Sequence, residues 1–236
     1  MTDRPIIFSA PMVRALLDGR KTQTRRVLRD QPVAHPSLGL PWLATKRITF
    51  RDEGEARRLL PEIAPYASGD RLWVREAHAI VPETAFRHSD GVVQTINPTD
   101  RYMACIYREG FDRCAPKWRP SIHMPRWASR ITLLVDAVRV EPLQDISEDD
   151  ARAEGCGDSD KFAYLSACKQ FEQHHGLKHG ETATRVSGVD PYSARWSFAN
   201  LWFSLHGPDA WTANPWVAVI TFSVVLGNIG SLGDRP

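Results

Sequence analysis

No run of apolar residues in this chain approaches the roughly 20 that a membrane-crossing helix needs. The opening stretch, MTDRPIIFSAP, holds no hydrophobic core of a signal peptide. A cytoplasmic protein with no membrane partner is therefore expected. Cysteine is scarce: Cys105, Cys114, Cys156 and Cys168 occur with no CxxC pair. That spacing excludes the paired-cysteine redox and zinc motifs and leaves free thiols as the expectation. Charge of either sign is also nearly absent as an excess, the net being +2. Bulk attraction to nucleic acid is thus weak, and any anion site must come from local clustering. There is no internal repeat and no low-complexity tract. What is present is ordinary globular material: 236 residues, 42% hydrophobic and 25% charged. That length suits one well-buried domain with insertions, or two small domains.

The densest local cluster lies in Pro11 to Arg26, PMVRALLDGRKTQTRR. Val13, Leu16 and Leu17 recur at helical spacing, so one face of a short helix can dock on a core. Pro11 suits the first helical turn, where its missing N–H is no loss, and Ser9 stands near the cap. Gly19 falls where a helix ends in a left-handed residue. The polar run Arg20 to Arg26 follows. If it is extended, Lys21, Gln23 and Arg25 share one face and Thr22, Thr24 and Arg26 the other. A tight turn after Gly19 would instead bring Lys21 round to Thr24. A solvated basic turn is the ordinary reading of such a run. Two hydroxyls and four cations behind a docked helix are also what an anion-binding or catalytic turn requires.

Further along, prolines at 32, 36, 41, 61 and 65 break up residues 30 to 67, which read as a surface insertion with a short exposed helix at Glu53 to Leu60. The turn Ser68-Gly69-Asp70 leads into a strand over Arg71 to Ala79, and Tyr102 to Tyr107 reads as another. Residues 81 to 101 read as a loop. Ile131, Leu133 and Val135 alternate in a strand over Arg130 to Val140. Ser147 and Asp150 form a capping-box pattern for a helix ending at Gly155. Residues 157 to 194 read as a second, polar insertion. Trp196 to Leu205 reads as a helix with Phe198, Leu201, Trp202 and Leu205 on one side. Trp216 to Val225 reads as a closing strand, and 227 to 236 as a frayed tail. The order implies an α+β fold, with one domain over residues 1 to 226.

Gly19-x-Lys21-Thr22-x-Thr24-x-Arg26 resembles the signature of the ASCH domain family, a branch of the PUA-like superfold. The resemblance continues through Gly69 to Glu76, Ile146 to Gly155, and Asn214 to Phe222, in the family's order. The wording is similar to the longer ASCH proteins of bacteriophages and prophages. The resemblance implies a small PUA-like β-barrel with flanking helices at its mouth. A bacterial member of the family hydrolyses N4-acetylcytidine with a lysine, a threonine and a glutamate. Its lysine and threonine match Lys21 and Thr24, and an ungapped match of Ile146-Ser147-Glu148 puts its glutamate at Glu154.

The implied activity is hydrolysis of an amide on a modified nucleobase, an N4-acylated cytosine nucleoside or a relative, with no cofactor. A threonine hydroxyl attacks only when a neighbouring base takes its proton. A lysine serves as that base where burial or nearby cations favour its neutral form. Glu154 would orient the lysine, move a proton to the departing nitrogen, or activate a water while Thr24 positions the acyl group. Arg26 or backbone N–H groups after Gly19 would hold the oxyanion, with Arg25 beside them. Arg75 and Glu76 read as a buried pair bracing the site. Trp127, with His123 and Arg126, has the composition of a base-stacking grip, although such a tryptophan is more often core. Cys168, His174, His175 and His179 match no standard zinc spacing, so no metal is expected. Two other functions fit the resemblance: a non-catalytic module that binds RNA or a modified nucleotide, and a ribonuclease.

Overall fold

The computed structural model describes residues 1–113, 116–157, 193–207 and 209–233. Its elements in chain order are β1 (Asp3–Ile7), α1 (Ala10–Leu17), β2 (Gln23–Val27), β3 (Val33–Ala34), β4 (Pro41–Leu43), β5 (Ile48–Thr49) and α2 (Glu53–Ile63). There follow β6 (Arg71–Arg75), β7 (His78–Pro82), β8 (Gln94–Ile96), β9 (Met103–Tyr107), β10 (Ile131–Pro142) and α3 (Glu148–Ala153). The last are α4 (Ala194–His206) and β11 (Trp216–Leu226), so the fold is mixed α+β. The chain forms two compact units. One comprises Met1–Gly19, Ser68–Ala137 and Phe222–Pro236, the other Arg20–Ala67 and Val138–Thr221. Among the described residues no helix is long and apolar enough to cross a membrane.

In the first unit β1 runs parallel to β6, from Asp3 opposite Arg71 to Ile7 opposite Arg75, and β10 lies antiparallel on the other side of β6. Helix α1 buries Met12, Val13, Ala15 and Leu16, close to the face expected from spacing. It stops where Gly19 turns to φ +70°. A Cβ built at Gly19 would meet nothing within 4 Å, so the requirement for glycine there is conformational and not steric crowding. Gly19→Ala should therefore lose about 1–2 kcal/mol in urea unfolding; an unchanged midpoint would mean that the turn relaxes without effort.

The strand read over Arg71 to Ala79 is two strands, β6 and β7, and β7 joins an antiparallel sheet in the order β7-β9-β8. That sheet also takes up part of the stretch read as a loop. Strand β9 is apolar on both faces. Cys105 and Tyr107 pack with Met124 and Ala128, and Ile106 packs with Ala79 and Val81 on the other side. Residues 227–233, read from the sequence as frayed, are tied down. The Asn228 amide donates to the carbonyls of Arg126, Trp127 and Ser129, and Ile229 is buried.

In the second unit β2 pairs antiparallel with β11, Gln23 opposite Thr221 and Val27 opposite Val217. The stretch 30–67 carries the small sheet β3-β4-β5 and the helix α2. Asp52 caps α2 by accepting from the Glu55 amide. One turn apart, Ala56 and Leu60 sink into a core with Leu28, Leu43, Phe50, Val140 and Ala218. This region therefore contributes core residues as well as surface. Helix α3 begins with the expected capping box between Ser147 and Asp150. Helix α4 packs against α3, and its Trp196, Phe198, Ala199, Trp202 and Phe203 share a core with Ala151 of α3. Leu205 stays 46% exposed, contrary to the face read from spacing. With Trp, Phe, Ala and Leu all round this helix, apolar period alone does not single out one side.

Candidate active site

The site is built where the end of α3 meets the residues leading into β2. The Thr22 amide donates to the Ala153 carbonyl at 2.8 Å, and Arg20 Nη1 donates to the Gly155 carbonyl at 3.0 Å. The Ala153 carbonyl is one that the last turn of α3 leaves without a helical partner, and Gly155 follows just after the helix. Lys21 is drawn in beside them. Its Nζ donates to the Glu154 carbonyl at 2.8 Å and to Glu154 Oε2 at 2.6 Å. Both side chains are shielded from solvent, Lys21 at 0% and Glu154 at 3% exposure. A carboxylate in the last turn of a helix is ordinarily wet, and its burial here is possible because it meets a cation.

Arg25 extends the pair into a network. Its Nη1 donates to Gln23 Oε1 at 2.7 Å and to Glu154 Oε1 at 3.3 Å. Its Nη2 lies 2.8 Å from Glu141 and 3.2 Å from Asp150. The guanidinium carbon stands 5.7 Å from the Phe198 ring centre. Arg139 closes the network with bonds to Glu141 at 3.1 Å and Asp150 at 2.7 Å. Among the described residues, Lys21, Arg25 and Arg139 thus meet Glu141, Asp150 and Glu154. Burial would raise the Asp150 carboxyl, but hydrogen bonds from Arg139 and Gln23 and the charges of Arg139 and Arg25 hold it well below the usual carboxylate range.

Alternation along β2 puts Gln23 and Arg25 on one face, as read from the sequence, and that face meets Asp150 of α3. The same alternation turns Thr24 to the other face. Thr24 is buried, and among the described residues its side chain makes no hydrogen bond to Lys21 or Glu154. Arg26, on the Thr24 face, is half-buried; burial lowers its pKa, against the opposing influence of Tyr66 and Glu154. His206 at the end of α4 is lowered by burial and by the Arg26 charge. The Cys156 thiol is pushed up to about 12 by burial and by the Glu154 charge, so it is a poor nucleophile.

The structure thus brings Lys21, Arg25 and Glu154 together. Arg75, Glu76 and Trp127 belong to the first unit. The expected pairing of Arg75 with Glu76 is corrected: Glu76 takes two bonds from Arg130, at 2.9 and 2.8 Å, and Arg75 stands over the Trp73 ring at 4.6 Å. Arg130 itself lies 4.1 Å over the Tyr107 ring. Burial raises the Glu76 carboxyl above its ordinary value despite that partner. Trp127 packs against the core of Cys105, Tyr107, Met124 and Ala128. Cys168, His174, His175 and His179 lie outside the described residues.

Sequence reasoning missed Glu141, Arg139, Tyr66 and His206, and saw Asp150 only as a cap. The Arg139-Val140-Glu141 alternation was the available signal: two opposite charges on one face, flanking a buried valine. Comparison with known proteins finds no matching family model, curated protein or solved structure.

Proposed function

We propose that the chain is an ASCH-type domain on a PUA-like barrel and that it hydrolyses the amide of an N4-acylated cytosine nucleoside or a related modified base. The observation that carries the reading is the buried Lys21–Glu154 pair at 2.6 Å, formed across 133 positions of sequence. Support for Lys21 and Glu154 comes from this geometry. Support for Thr24 comes from its place in the Gly19-x-Lys21-Thr22-x-Thr24 run alone.

In the proposed reaction a hydroxyl oxygen attacks the acyl carbon, and the carbonyl electrons move onto oxygen. The Lys21–Glu154 unit takes the proton of the attacking hydroxyl and returns it to the cytosine nitrogen as the carbon–nitrogen bond breaks. With Thr24 as the attacking group the acyl ester is then released by water, and the products are the free nucleoside and a carboxylate. Glu154 Oε2 is committed to Lys21, whereas Oε1 is held by Arg25 only at 3.3 Å and is the oxygen better placed to receive a proton. Because the pair is shielded, substrate binding must uncover it.

Purified protein incubated with N4-acetylcytidine should release cytidine, read by chromatography. Thr24→Ala should lose most of that release and Thr24→Ser should recover it. Full activity in Thr24→Ala would assign the attack to a water. The second reading, a non-catalytic module for RNA or a modified nucleotide, is favoured by the burial of Lys21, Arg25 and Glu154, which suits a structural brace. Salt-dependent RNA binding together with no cytidine release would establish it.

A further inference from the structure

A cleft of about 200 Å³ opens within the second unit, and neither Lys21 nor Glu154 lines it. Its apolar wall is formed by Leu28, Leu43, Leu60 and Ile63, and the polar residues lining it are Arg29, Asp30 and Lys46. Leu28, Leu43 and Leu60 are 7%, 1% and 1% exposed, so the wall belongs to the buried core. The cleft is open to solvent on one side, and over its apolar floor water finds few hydrogen-bond partners. A cavity of roughly 150 Å³ lined by Leu, Ile and Phe takes up benzene. The volume here therefore suits a six-membered ring or a branched chain of similar size.

The rim decides the head group. Arg29 and Lys46 are exposed, and among the described residues neither makes an ion pair. Among the described residues Asp30 is the only carboxylate lining the cleft. The rim thus carries a surplus positive charge beside an apolar floor, which selects against a neutral or cationic head and for an anionic one.

We propose that this cleft binds a small monocarboxylate with an apolar body, the chain or ring seated on Leu28, Leu43, Leu60 and Ile63 and the carboxylate at Arg29 and Lys46. The site is separate from the proposed catalytic pair and stands whether or not that reading holds. The test is a titration of the ¹⁵N-labelled full chain, followed by NMR, with 4-methylpentanoate, phenylacetate and the neutral amides of both. The acids should give saturable shifts at the residues lining the cleft, with affinities about tenfold or more above those of the amides. Replacing Arg29 and Lys46 together by alanine should remove that preference; both are exposed, so the fold survives. Ala64 also lines the cleft and is half-buried, so Ala64→Phe should fill it and abolish binding of acid and amide alike. The proposal is overturned if millimolar acid gives no saturable shift, if acid and amide bind equally, or if the double alanine variant keeps the preference.

Discussion

Lys21→Met and Glu154→Gln should each lower the release of cytidine from N4-acetylcytidine by about a hundredfold or more, the scale of a lost acid–base group. The double variant should lose no more than either single one. Both substitutions keep the bulk of the side chain, so the loss reports chemistry and not a cavity. The reason for non-additivity is geometric. Glu154 Oε2 and the Glu154 carbonyl both accept from Lys21 Nζ, so removing either partner disables the same proposed proton-handling unit. Single-turnover assays, with circular dichroism to establish that the variants fold, supply the measurement. Losses that multiply in the double variant would show two independent roles. Full activity in Glu154→Gln would end its assignment.

Local signals carried much of the fold. The capping box at Ser147 and Asp150, the glycine stop at Gly19 and the alternation of Gln23 and Arg25 act within a few residues, so each could be read directly. The break between β6 and β7 could not. No glycine or proline marks Glu76-Ala77, and the bend there is set by the meeting of two different sheets. The site was legible only in part, for the same reason. The Lys21–Glu154 and Glu76–Arg130 pairs join residues 133 and 54 positions apart, and no spacing rule couples them. Only the ASCH resemblance pointed to Glu154. The Thr22–Ala153 bond joins the segment entering β2 to the end of α3, next to Glu154, and no local spacing announces it. Asp150 was half-seen because one oxygen's role in the cap hid the ion pairs of the same carboxylate with Arg25 and Arg139.

Arg25→Met should reduce stability by about 3–5 kcal/mol, the range for breaking a buried ion pair from one side. Methionine preserves the stem and its packing beside Phe198 but removes the group that touches Glu141, Asp150 and Glu154. Among the described residues Lys21 and Arg139 would then be left to meet three carboxylates, and Glu141 and Glu154 would each lose a cationic partner in shielded surroundings. The pH dependence follows from Asp150. Although burial opposes it, the bonds from Arg139 and Gln23 and the charges of Arg139 and Arg25 depress its pKa in the folded state. A group with a depressed folded pKa contributes stability above its unfolded pKa, and that stability is lost as pH falls toward the folded value. Wild type should therefore weaken as pH drops below about 4. The variant has already lost part of that contribution and is relieved of repulsion as its carboxylates protonate, so the difference between the two proteins should narrow. Urea unfolding at neutral and acid pH measures both. A loss below about 1 kcal/mol, the scale of an exposed ion pair, or a difference that does not change with pH, would show that Arg25 acts through packing and does not hold the carboxylates together.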